Sequence, residues 1–179
     1  MNKKEKEVYG ILARYLLIIF AAASNLFIFY YIFTPLTVYH VYFLLQIFLD
    51  VKLSGNVISL GHYAIWIIKA CIAGSAYYLL FILNLSIPKI NLKKRLKMIS
   101  FSFLVLLAAN ILRIIILVLL LGSFWFDFTH KLFWNLLSTI FVVGIWFLEV
   151  KLFKIKKIPF YDDIKILYKN SFFKKSKRK

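Results

Sequence analysis

The chain predicts an all-α membrane protein: a bundle of four transmembrane helices with a short interfacial or re-entrant helix and a small extracytoplasmic β-hairpin. Three observations carry that expectation. Hydrophobic residues make up 63% of the 179 residues, against about 45–50% apolar usage in soluble domains. The mean hydropathy is +0.83. The basic residues, which bring the formal charge to +17, gather between and after the apolar runs. That placement sets aside nucleic-acid binding, which needs a basic surface on a soluble fold.

The first expected span is residues 11–33, with one charge, Arg14, near its start; about 20 apolar residues cross a bilayer core of about 30 Å. It exceeds the roughly 7–15 residues of a signal-peptide core, so an uncleaved anchor is expected despite Ala21-Ala22-Ala23. Residues 36–49 are too short to cross. Opened by Pro35, they read as an interfacial or re-entrant helix. Residues 51–60 alternate around Gly55-Asn56, a two-residue hairpin signal. The β-branched and aromatic run after Tyr63 leads to Cys71, where a strand-to-helix junction places the thiol at a helix N-terminus. The remaining spans are residues 71–87, 98–121 and 130–150.

Basic residues are retained on the cytoplasmic side. Lys3, Lys4, Lys6 and Arg14 precede or open the first span; Lys89, Lys93, Lys94, Arg95 and Lys97 fill the loop after Pro88; eleven more lie in residues 151–179. With four spans all of these share one face, so both termini are expected in the cytoplasm of a multi-pass cell-membrane protein. Two regions follow: a transmembrane catalytic domain, residues 1–155, and a basic cytoplasmic tail, residues 156–179. The tail interleaves lysines with Ile158, Phe160, Tyr161, Ile164, Leu167 and Tyr168, a pattern that anchors topology and lies on an anionic inner leaflet.

The chemistry rests on Cys71, Asn110, Arg113 and His130. At 1.5 Å per helical residue, Cys71 lies about 25 Å above Pro88, Arg113 about 22 Å above Met98, and His130 about 31 Å above Lys151. Cys71 and Arg113 therefore share a level in the outer half, with His130 one to two turns higher. A charge near the bilayer centre costs about 2.5–3.5 kcal/mol on the lenient insertion scale, so Arg113 needs a partner or a watery cavity. Asn110 lies on the same helix face at i−3 and is expected to orient it; the alternative role for Arg113 is a polar clamp between helices. A helix N-terminus and a nearby guanidinium both favour a thiolate, and an imidazole can take and return a proton near neutral pH. His40 and His62 also fall on the outer side. His130 itself sits in an aromatic belt of Trp125, Phe126, Phe128 and Trp134, a setting where histidine is also found inert.

In their order these residues resemble the exosortase and archaeosortase family, membrane-embedded cysteine enzymes related to sortases in chemistry and not in fold. The landmarks are Cys71 within Ala70-Cys71-Ile72-Ala73-Gly74-Ser75, the Asn-x-x-Arg of Asn110 to Arg113, and His130 opening the next span, covering roughly residues 30–150. Members commonly carry a small polar residue and then glycine after the cysteine; here Ile72 and Ala73 intervene before Gly74. The resemblance implies a cysteine transpeptidase or protease acting on exported proteins that end in a short motif, a transmembrane segment and a basic cluster. It also implies an active site facing outside, with Cys71 as nucleophile, His130 as general acid and base, Arg113 as oxyanion stabiliser and Asn110 in support.

Two other classes stand beside it: a non-enzymatic membrane scaffold or assembly protein, and a small transporter or channel built on Arg113 and Asn110. Membrane lipids are partners in every case. One cysteine and three scattered histidines give no zinc spacing, and no Gly-rich phosphate loop is present, so neither metal nor cofactor is expected.

Overall fold

The computed structural model describes residues 3–133 and 138–170, which are mostly helical with one small sheet. Helix α1 (Lys3–Gln46) runs for 44 residues, about 66 Å if straight and twice a bilayer core. It is not one uniform rod. Asn25 and Leu26 adopt left-handed φ values of 54° and 61°, which interrupts the regular backbone ladder. The membrane-length part follows that break, over Asn25–Gln46, and not over residues 11–33 as the sequence suggests.

Pro35 lies inside α1, so residues 36–46 continue it and form no separate interfacial helix. Phe29, Phe33, Val38, Val41 and Leu45 are all buried, a stripe with helical spacing that runs through the proline. The stripe packs on both sides of the proline, and a membrane helix tolerates an internal proline where neighbouring groups satisfy the freed backbone carbonyl.

The expected hairpin gains a third strand. β1 (Val51–Ser54), β2 (Val57–Leu60) and β3 (Tyr63–Trp66) form an antiparallel meander in which Ser54 faces Val57 and Leu60 faces Tyr63. Gly55 and Gly61 take φ values of 60° and 54°, which glycine adopts without a Cβ clash and which the tight turns require. Ile67 N then donates to Asn56 O at 2.9 Å, pinning the exit of the sheet where the chain turns into helix.

Helices α2 (Lys69–Ile72) and α3 (Gly74–Leu85) follow, then α4 (Leu92–Leu119), α5 (Phe126–Leu132), α6 (Ser138–Leu152) and α7 (Tyr161–Asn170). Asn91 caps α4 by accepting from Lys94 N at 2.8 Å, and at 28 residues α4 is the second membrane-length helix. The other two expected spans are shorter: Lys69–Leu85 is a broken apolar helix, and α6 has 15 residues. Residues 134–137, Trp134 among them, and the tail from residue 171 lie outside the described residues. Aromatic rings tie α1, α3 and α4 together. Phe33 stacks on Tyr77 with centroids 3.6 Å apart, and Phe29 meets Tyr78, Phe81 and Phe103 edge-on.

The end of the bundle away from the sheet is held by arginines. Arg95 donates to the carbonyls of Asn84, Leu85 and Ile87, and Arg14 to those of Leu85 and Ile87, satisfying acceptors that a helix C-terminus leaves over. Arg14 also pairs with Asp163 at 2.8 Å, and Phe160 N donates to Ser86 O at 3.1 Å. Residues 160–170 are therefore docked on the bundle, where the sequence suggested a tail lying apart on the leaflet.

Candidate active site

Cys71 is the third of the four residues of α2, which ends at Ile72 because Ala73 adopts a left-handed φ of 58°; the thiol thus sits near the end of a single turn and not, as the sequence suggests, at the N-terminus of a long helix. That break is the origin of the site. A continuous helix would bond the Cys71 carbonyl to the amide of Ser75; here Asn110 Nδ2, reaching across from α4, donates to Cys71 O at 2.7 Å. Asn110 is 3% exposed. The sequence led us to expect this amide on Arg113, one turn away, but it holds the backbone of the cysteine. The reason is an orphan carbonyl in a dry interior, whose desolvation costs about 1–3 kcal/mol if left unpaired.

Arg113 sits one turn beyond Asn110 on the same face and is only 8% exposed. Its Nε has no hydrogen-bond partner. It lines a cleft of about 180 Å³ formed with Tyr30, Lys69 and residues 70 and 73–76. Asn110, one turn before Arg113, thus ties α4 to the Cys71 backbone beside this cleft.

Tyr30 forms the wall toward α1. A Cβ on Gly74 would lie 2.7 Å from its ring, so any larger residue there would have to push the Tyr30 ring aside. The Lys69 ammonium lies 5.4 Å from the Tyr30 ring centroid, a cation–π distance. An apolar groove of about 480 Å³ shares Tyr30 and Lys69 with the cleft and runs along α1 past Tyr31, Thr34 and Pro35.

His130 is placed differently. Its exposed ring stacks on Phe126 with centroids 5.8 Å apart, and no hydrogen bond joins it to Cys71 or Arg113. His40 Nδ1 lies 2.6 Å from Leu36 O within α1, and His62 is exposed in the turn between β2 and β3.

Sequence reading missed three contributors. Lys69 stands two residues before Cys71, which is a usable signal. Tyr30 carries no signal apart from the glycine opposite it. Glu149 is fully buried, with Oε2 accepting from Asn84 Nδ2 at 3.1 Å and Oε1 unpartnered. It is the sole acid between Asp127 and Asp162, which marks it; its nearness to Lys151 disguised it as an end-of-span charge.

No family model, characterised protein or solved structure matches this chain.

Proposed function

We propose that the protein is a membrane cysteine transpeptidase or protease of the exosortase and archaeosortase type, cleaving the C-terminal sorting signal of exported proteins at the extracytoplasmic face. The observation that carries the proposal is the Asn110 bond to the Cys71 carbonyl, made at a break in the helix that bears the thiol and beside a cleft lined by a buried, incompletely paired Arg113. Structural cysteines need no such surroundings. In this reading both termini are cytoplasmic, the sheet is outside, and Lys69–Leu85 and α6 complete four passes as short spans.

The Cys71 thiolate attacks the scissile carbonyl carbon, forming a C–S bond and moving an electron pair to the oxygen. Arg113 stabilises that oxyanion. Collapse breaks the C–N bond, the amine leaves with a proton delivered by His130, and the thioester is resolved by an amine, a lipid or water. His130 meets the site when substrate is bound, in keeping with catalytic hydrogen bonds that close only in the complex. The groove along α1 suits an apolar stretch of the substrate next to the cleaved bond.

The test is co-expression with a protein ending in a motif, an apolar segment and a basic cluster. Cys71→Ala leaves that substrate full length; continued cleavage refutes the nucleophile, and harmless thiol alkylation favours a scaffold. One observation favours a small transporter instead: Glu149 adds a buried acid to the buried Arg113 within the bundle. Conductance in liposomes that survives Cys71→Ala and is lost in Glu149→Ala would select that reading.

A further inference from the structure

We infer that the cleft beside Cys71 is a subsite for a small oxyanion, a carboxylate or phosphate group, held by the Arg113 guanidinium and the first amides of α3 with Lys69 at its mouth. The inference rests on the reading of this site given above and adds a recognition element to it.

Ala76 N and Tyr77 N donate to Ala73 O, so of the four amides a helix leaves unpaired at its start, those of Gly74 and Ser75 have no acceptor within the helix. Both residues line the cleft, as does Arg113. A 12-residue helix also presents partial positive charge at this end. The second, independent observation is Arg113 itself: it is 8% exposed, with an Nε that no group among the described residues satisfies. An uncompensated guanidinium in a dry site is costly, and no acidic residue lines the cleft. The two charged side chains that line the space, Lys69 and Arg113, are both cationic, a charge that a bound anion balances. Its volume of about 180 Å³ admits one oxyanion group with a short stem.

Iodoacetate and iodoacetamide have similar shapes and differ by one charge. The ratio of their rates at the chain's one cysteine cancels changes in thiolate fraction, because both consume the same thiolate. In neutral phosphatidylcholine nanodiscs the iodoacetate-to-iodoacetamide ratio at Cys71 is expected to exceed that of N-acetylcysteine about tenfold, the scale for one anion near two partly screened cations. It falls to the N-acetylcysteine value in Arg113→Gln and part-way in Lys69→Gln, whose exposed side chain leaves the fold intact. Ser75→Cys in a Cys71→Ser background places a second reporter thiol on the cleft wall. A ratio equal to N-acetylcysteine at both thiols, or one that neither charge substitution moves, overturns the inference. Where the preference holds, protection by added inorganic phosphate identifies a free anion, protection by phosphatidylglycerol in the disc a headgroup, and protection by neither a carboxylate. A missing preference with substrate cleavage intact removes the subsite alone; a preference without any cleavage keeps the subsite and removes the reaction.

Discussion

Ala73 sets the geometry around the thiol. A left-handed conformation costs an L-residue about 1–2 kcal/mol, and glycine avoids it. Ala73→Gly is therefore expected to raise stability by about 1 kcal/mol, read as the unfolding midpoint in detergent; a lower midpoint would mean that the Ala73 methyl packs usefully. Asn110 answers the break from the other side. Asn110→Ala leaves the Cys71 carbonyl buried and unpaired and is expected to cost about 1–3 kcal/mol in the same measurement, with slower modification of the thiol as its backbone support loosens. An unchanged midpoint would place the 2.7 Å contact outside the energetics of the site. Cys71, Asn110 and Arg113 were all legible in the sequence, since a thiol, an amide and a guanidinium are rare company inside apolar runs. The partner that Asn110 takes was not, because it depends on a backbone break at an alanine that no residue type announces.

At the level of elements, α3, α4 and α6 are joined by a polar contact inside an apolar bundle. Asn84 Nδ2 donates to Leu80 O at 3.0 Å and to Glu149 Oε2 at 3.1 Å, with Ser102 Oγ at 3.5 Å. Gln at position 149 keeps an acceptor for Asn84, whereas Ala removes it and leaves a void. Glu149→Gln is expected to change stability by less than about 1 kcal/mol and Glu149→Ala to lower it by about 2–3 kcal/mol, compared by denaturant titration of the two variants. Equal effects would show that the contact adds nothing. The helices themselves were readable from hydropathy, but their ends were not. α1 passes through Pro35, with a buried stripe packed on both sides of it, and the meander gains β3 because a third apolar segment follows a glycine turn. Local signals favoured a stop at each place, and packing overrode them.

On the scale of the whole molecule, the chain closes on itself at the end opposite the sheet, where Asp163 of α7 reaches Arg14 of α1 with 1% of the Asp163 side chain exposed. Asp163→Asn keeps the shape and removes the charge. It is expected to weaken the docking of α7 by about 1–3 kcal/mol and to speed protease cleavage around residues 154–160 several-fold; an unchanged cleavage rate would mean that Phe160 and the apolar contacts suffice. Composition alone pointed to a helical, membrane-length architecture, while this clamp escaped sequence reading because a lysine-rich tail looks the same whether it is docked or free. The central claim concerns the other end, the proposed nucleophile beside the Arg113 cleft, and it is tested most directly by mass spectrometry of the Cys71 peptide after brief incubation with a tailed substrate. An acyl adduct on Cys71 that hydroxylamine removes is the predicted result. Substrate cleaved at the usual rate with Cys71 unmodified throughout, or with Cys71 already alkylated, would contradict it.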